Sequence, residues 1–227
     1  MSPHQQTPAG PIVVINPNSN GAVTAGLDAA LAPFRLSGGP AIECLTLTEG
    51  PFGIESQLDV DSVVLPLVRL IESRPGASAF VIACYSDPGI DACRSVAKVP
   101  VFGIQESGVL TAMARSDRFG VVAIAKASVA RHLRYMRRMG VENRLAGERP
   151  LNMSVDESAR GQNTFARLTE IGGLLVSDGA GSIVLGCAGM AVHRLPLERV
   201  LGVPVIDPTQ AAVAMALGTV LAEQLSI

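Results

Sequence analysis

The chain has 227 residues, of which 48% are hydrophobic, 17% charged and 4% aromatic, with a formal net charge of −2 and no tryptophan. This composition excludes a disordered chain, a coiled coil and a disulfide-stapled miniprotein, and leaves a protein with an aliphatic core. The mild acidity argues against a nucleic-acid or anionic-membrane surface, and the scarce aromatics argue against a base- or sugar-stacking platform.

Residues 1–10 carry neither the basic start nor the apolar stretch of a signal peptide, and read as a disordered lead-in to a cytoplasmic protein. Six apolar runs follow, at 12–15, 79–84, 99–104, 119–125, 182–187 and 203–206. Each is a continuous block, as in strands covered on both faces. Segments 60–72, 129–139 and 164–176 have helical period. Strands alternating with helices predict an α/β fold with parallel sheets. The apolar run 211–222 falls short of the roughly 20 residues a bilayer span needs, and predicts a buried helix.

The chain also reads as one half written twice. Phe80-Val81-Ile82-Ala83-Cys84 leads to a Val-Pro-Val at 99–101, and Ile183-Val184-Leu185-Gly186-Cys187 leads, at almost the same interval, to a second at 203–205. Each then enters an Ala-rich segment, at 108–114 and 210–217. The runs at 12–15 and 121–124 stand at similar distances before the two cysteines. The predicted organisation is two pseudo-symmetric lobes, each a Rossmann-like α/β/α sandwich on a parallel sheet. Lobe 1 comprises 11–106 with 207–227, lobe 2 comprises 107–206, and the active site lies in the cleft between them.

An approximate twofold axis sets Cys84 and Cys187 facing each other beyond the carboxyl ends of their strands. Helix amino termini after them are expected to lower the thiol pKa values and to offer N–H groups to a carboxylate or enolate oxygen. The small residues Ala188 and Gly189 would let a substrate approach the backbone closely. Two thiols on opposite sides of a carbon next to a carbonyl suit inversion: one removes a proton, the other returns one, and no cofactor is needed. Cys44 and Cys93 read as buried filler.

Other residues read as structural. Asp87 suits a turn and cap, with an orienting role beside Cys84 left open, Asp207 and Glu106 a helix cap or a substrate contact, and His193 a supporting or surface role. The basic segment 131–138 reads as a solvated or subunit-contact face, with Val129, Leu133, Met136 and Met139 as its apolar side. Gly179-Ala180-Gly181 precedes a strand, so it is no phosphate-binding fingerprint. No metal-ligand spacing is present, and the only lysines, Lys98 and Lys126, sit in no pattern suggestive of pyridoxal phosphate.

Asn16-Pro17-Asn18-Ser19-Asn20, Ala83-Cys84-Tyr85-Ser86-Asp87-Pro88-Gly89 and Leu185-Gly186-Cys187-Ala188-Gly189-Met190 resemble the hydantoin and allantoin racemase branch of the aspartate/glutamate racemase superfamily. The resemblance runs from Pro11 onward. It implies a cofactor-independent, two-base racemase of a small molecule, with Cys84 and Cys187 as the acid–base pair. It also implies that Asn16, Asn18, Tyr85, Ser86, Ala188 and Gly189 bind substrate, and that the protein is a cytoplasmic homo-oligomer. One departure stands out: Ala123-Ile124-Ala125 replaces a pair of threonines common in the branch, which predicts an apolar pocket for a bulky or apolar 5-substituent. The alternatives are racemisation of allantoin or an acidic amino acid, an arylmalonate-type decarboxylation, and non-catalytic binding of a small ligand. A decarboxylase of this type lacks the first cysteine, so the presence of both favours racemisation.

Overall fold

The apolar block near the start of the chain forms strand β1 (Ile12–Asn16), with every residue buried. In the computed structural model, which describes residues 10–160 and 163–224, β1 lies between β2 (Ile42–Thr46) and β3 (Ala79–Ile82), with β4 (Val101–Gly103) beyond β3. All pairings are parallel. A second parallel sheet follows, built from β5 (Phe119–Ala123), β6 (Leu145–Pro150), β7 (Ser182–Gly186) and β8 (Val205–Ile206). Its order, β6-β5-β7-β8, repeats the β2-β1-β3-β4 order of the first. The fold is therefore α/β with two lobes of like topology. Of the expected lead-in, residues 1–9 lie outside the described residues, as do 225–227 at the other end.

Two strands depart from the expected set. β2 and β6 lie on sheet edges, and their mixed sequences, Ile-Glu-Cys-Leu-Thr and Leu-Ala-Gly-Glu-Arg-Pro, are mostly half-buried. An edge strand has one neighbour and partial solvent contact, so it carries no continuous apolar signal.

The helices follow local rules. Asn20 caps α1 (Gly21–Ala30) by accepting from the Ala22 N–H. The single helix expected over 60–72 is two, α2 (Gln57–Ser62) and α3 (Val64–Glu72). Pro66 has no N–H for the Ser62 carbonyl, so the helix restarts with the proline in its first turn. Next come α4 (Ile90–Val96), α5 (Ile104–Met113), α6 (Lys126–Met139), α7 (Val155–Arg160), α8 (Thr164–Ser177), α9 (Arg194–Leu201) and α10 (Pro208–Gln224).

Alternation along the strands divides the core. Val13, Ile15, Phe80 and Ile82 face one way, onto Leu67 and Ile71 of α3 and Cys93 of α4. Ile12, Val14 and Val81 face the other way, into an apolar cluster that continues through Val109 and Val213 to Val121 and Val184 of the second sheet. Helix α10 leaves the second sheet yet packs on β1, β3 and β4, while α5 leaves the first sheet and packs on β7. The two helices also pack on each other, and the apolar segment 211–222 buries one face between the sheets, at Ala212, Val213, Ala216 and Val220, while Ala214 and Gly218 stay exposed. No helix among the described residues is long and apolar enough to cross a membrane.

Candidate active site

The carboxyl ends of β3 and β7 open into one cleft, and both Cys84 and Cys187 line it. Asn18, Tyr85, Ser86 and Ala188 line it with them. Asn16 and Gly189 are not on its wall. Asn16 is fully buried, and its Nδ2 lies 2.9 Å from Asn18 Oδ1 and 3.0 Å from Thr24 Oγ1. Asn18 Oδ1 also accepts from the Asn20 N–H, so its Nδ2 is the polar end left for the cleft. Asn16 thus fixes the orientation of Asn18.

The two cysteines are held by different local structures. A Cβ at Gly186 would lie 2.6 Å from the Val122 carbonyl oxygen, so only glycine lets β7 lie this close to β5 just before Cys187. Cys187 is extended and caps the short 3-10 turn Ala188–His193, its Sγ accepting from the Gly189 N–H at 3.5 Å. The Ser158 hydroxyl also donates to it, at 3.8 Å. Cys84 has no such helix behind it. It enters a turn in which Asp87 takes a positive φ of 43°, and α4 starts only at Ile90. The Asp87 carboxylate instead accepts from the Gln105 and Glu106 N–H groups, at 2.8 and 2.9 Å, and caps α5. The cap predicted for Asp87 therefore serves a distant helix.

The thiols are not tuned downward, contrary to the sequence expectation. Cys84 is partly open to the cleft but surrounded closely enough that desolvation pushes its pKa up to about 12, with the charge of Cys187 adding to the rise. Arg131 pulls it back only in part. Burial likewise raises Cys187, against the opposing pull of the Gly189 N–H and Ser158 hydroxyl. Both thiols are neutral near pH 7, because in a site this enclosed the loss of hydration outweighs a few dipoles. Cys44 and Cys93 are also raised by burial, to about 11, and neither lines the cleft.

Helix α6 overturns a second expectation. Its buried stripe is Ser128, His132 and Met136: Met136 of the predicted apolar face is buried as expected, but Val129, Leu133 and Met139 are only half-buried, and the stripe turns toward Ser128 and His132. This rotation brings Arg131 and His132 onto the cleft wall, although the basic segment read as solvated. Arg131 Nε donates to Ser86 Oγ at 2.9 Å and its Nη2 to Ser128 Oγ at 3.2 Å. His132 Nδ1 is 2.6 Å from Glu148 Oε1, and the Tyr85 ring meets the imidazole edge-on at 5.0 Å. The i, i+4, i+8 spacing of Ser128, His132 and Met136 was the only signal in the sequence, and its polar members hid it.

Val23, Ile54, Ile124, Ala125 and Val155 make the rest of the wall largely apolar. Glu55, near the mouth, accepts from the Val155 N–H across the cleft at 3.3 Å. About 40 Å³ lies open to the centres of water molecules between these walls, within about 530 Å³ of space free of protein atoms. The other sequence candidates lie elsewhere. Glu106 pairs with Arg94 and accepts from Tyr135. Asp207 caps α10 through the Gln210 N–H. His193 sits beside Phe165, and burial lowers its pKa. Among the described residues, no group of three or more His, Cys, Asp or Glu side chains could hold a metal ion. The arrangement places two thiols, an amide and an N–H-bearing turn around one small volume, a set able to move protons at carbon.

Comparison with known proteins points the same way. Residues 12–216 match the family model described as Asp/Glu/Hydantoin racemase. A hydantoin racemase of Paenarthrobacter aurescens is 36% identical over 214 residues, 90% of this chain and 89% of the relative. One of Rhizobium meliloti is 36% identical over 213 residues, 90% and 86% of the two chains. The solved allantoin racemase from Klebsiella pneumoniae superposes with a TM-score of 0.88 at 30% identity, covering 95% of this chain and 89% of that one.

Proposed function

From the premise that the chain belongs to the Asp/Glu/Hydantoin racemase family, and so is an isomerase, we propose that it racemises 5-substituted hydantoins by a cofactor-independent, two-base mechanism. The thiolate of one cysteine takes the proton from C5, and the electron pair moves onto the oxygen of the adjacent C4 carbonyl as an enolate. The thiol of the other cysteine donates its proton to the opposite face and becomes the thiolate. Each turnover therefore exchanges the roles of Cys84 and Cys187 and leaves the net protonation of the pair unchanged.

What supports this reading above all is that Cys84 and Cys187, at equivalent strand ends of two sheets with one topology, line a single cleft. One thiol must be ionised when substrate is bound. The Gly189 N–H and Ser158 hydroxyl stabilise that charge on Cys187, and Arg131 stabilises it on Cys84. The Asn18 amide and the backbone at Tyr85, Ser86 and Ala188 suit the ring oxygens. In this reading the lobes formed by 11–106 with 207–227 and by 107–206 close around the ring, and the protein works as a cytoplasmic homo-oligomer.

Incubating each enantiomer of a panel of 5-substituted hydantoins, with allantoin included, and following optical activity tests the proposal. Conversion of both enantiomers to the racemate is expected. A preference for allantoin would move the substrate assignment to the second reading, which the likeness to an allantoin racemase favours. No conversion of any cyclic ureide would sink the proposal.

A further inference from the structure

The cleft carries a cation with more hydrogen-bond donors than steadying the charge on Cys84 uses. Arg131 is half-buried, and two of its N–H groups are spent on the neutral hydroxyls of Ser86 and Ser128. These hydroxyls fix the plane of the guanidinium without cancelling its charge. Several other arginines are paired: Arg94, Arg137, Arg138 and Arg149 each meet a carboxylate within 2.8 Å, while the arginines that lack one, such as Arg115, Arg134 and Arg199, are exposed to water. Arg131 has no carboxylate partner among the described residues. The acidic group nearest in effect is the Cys84 thiol, neutral in the free protein, and the next two are already engaged, Asp59 by the Glu55 and Ser56 N–H groups and Glu148 by His132. Glu55, the remaining carboxylate on the wall, accepts from Val155.

A partly desolvated guanidinium stays charged at any physiological pH and is costly to leave unpaired. Held rigid with donors to spare, it matches the two oxygens of a carboxylate. We propose that Arg131 is a specificity-determining residue whose partner is a carboxylate on the substrate. The substrate is then a hydantoin whose 5-substituent has a short aliphatic stem and ends in that carboxylate. Ile124 and Ala125 offer an apolar wall for the stem. This rests on the racemase reading and narrows its substrate class, replacing the bulky or apolar substituent expected from Ala123-Ile124-Ala125.

The test compares 5-(2-carboxyethyl)hydantoin with its near-isosteric amide, 5-(2-carbamoylethyl)hydantoin, in the wild-type protein and in Arg131→Gln and Arg131→Lys. Both kcat/KM for racemisation and the calorimetric dissociation constant are read. The wild type is expected to favour the carboxylate by about tenfold or more, the yield of one charge-assisted pair. Arg131→Gln is expected to slow both compounds through loss of the charge beside Cys84 and, beyond that, to bring the ratio close to one, and Arg131→Lys to restore part of both. A wild-type ratio near one would overturn the proposal. So would an equal loss on both compounds in Arg131→Gln, which would assign the cation to the reacting centre. If neither compound is racemised, an Arg131-dependent binding preference for the carboxylate keeps the subsite and rejects the racemase reading. Equal binding of both compounds rejects the subsite.

Discussion

His132 and Glu148 form a shielded pair on the cleft wall, with Nδ1 2.6 Å from Oε1 and the two side chains only 3% and 2% exposed. The imidazole also packs edge-on against Tyr85, the residue after Cys84. The turn that carries the first thiol therefore leans on a side chain held from β6. Removing the carboxylate leaves a buried ring nitrogen without its partner. We expect Glu148→Ala to cost about 2–3 kcal/mol of stability, and Glu148→Gln, which keeps an acceptor, to cost less. Urea unfolding of the three proteins measures both, and an unchanged midpoint for Glu148→Ala would refute the account.

Cys84→Ser and Cys187→Ser should each lower racemisation by about 100-fold or more, the usual range for loss of a positioned acid or base. The informative readout is deuterium uptake at C5 from D2O. Each variant should retain, at most, exchange with one enantiomer, and the two should retain opposite ones. Full racemisation by either would exclude the two-base assignment.

Because burial pushes the Cys84 thiol up to about 12, its thiolate population in the free protein grows only as pH rises well past neutrality. Alkylation of Cys84 by iodoacetamide should therefore be slower at pH 8 than that of a free cysteine, and should climb steadily to pH 11. A plateau below pH 9 would show that the N–H groups and Arg131 outweigh desolvation.

Asp87 provides a test of the fold. Burial raises its pKa from 3.8 to about 7, so the folded state holds a proton that the unfolded chain has released. Its contribution to stability is complete below about pH 4 and disappears as pH rises toward 7. Asp87→Asn keeps an acceptor for the α5 cap but cannot titrate. The wild type should gain stability relative to Asp87→Asn as pH falls from 7 to 4. Parallel pH profiles for the two proteins would contradict this.

Gly186→Ala should damage both stability and activity, since its Cβ would meet the Val122 carbonyl at 2.6 Å. Either β7 shifts, and Cys187 with it, or the strand pairing weakens. A loss of about 1–3 kcal/mol is expected, together with a fall in kcat of about tenfold or more from the misplaced thiol. Wild-type kcat in a folded Gly186→Ala protein would show that the position of Cys187 is less constrained than the packing implies.

The sequence by itself determined the central strands, the repeat and the two thiols. A strand covered on both faces must be apolar throughout, as Ile12–Asn16 and Ser182–Gly186 nearly are, and a repeated half repeats its chemistry at matching places. Only the tertiary structure decided the rest, because those features depend on neighbours remote in the chain. The edge strands β2 and β6 exist through pairing rather than through their own apolar pattern. The thiol pKa values follow from how completely two lobes enclose them, which outweighs the N–H groups of the local turn at Cys187 and, with no helix behind Cys84, meets little opposition there. The same holds for Arg131. In sequence it belongs to a basic run, and the rotation of α6 around Ser128, His132 and Met136 alone makes it a wall of the cleft. Length and composition had left a slightly acidic protein with an aliphatic core, and packing turned one of its few charges inward.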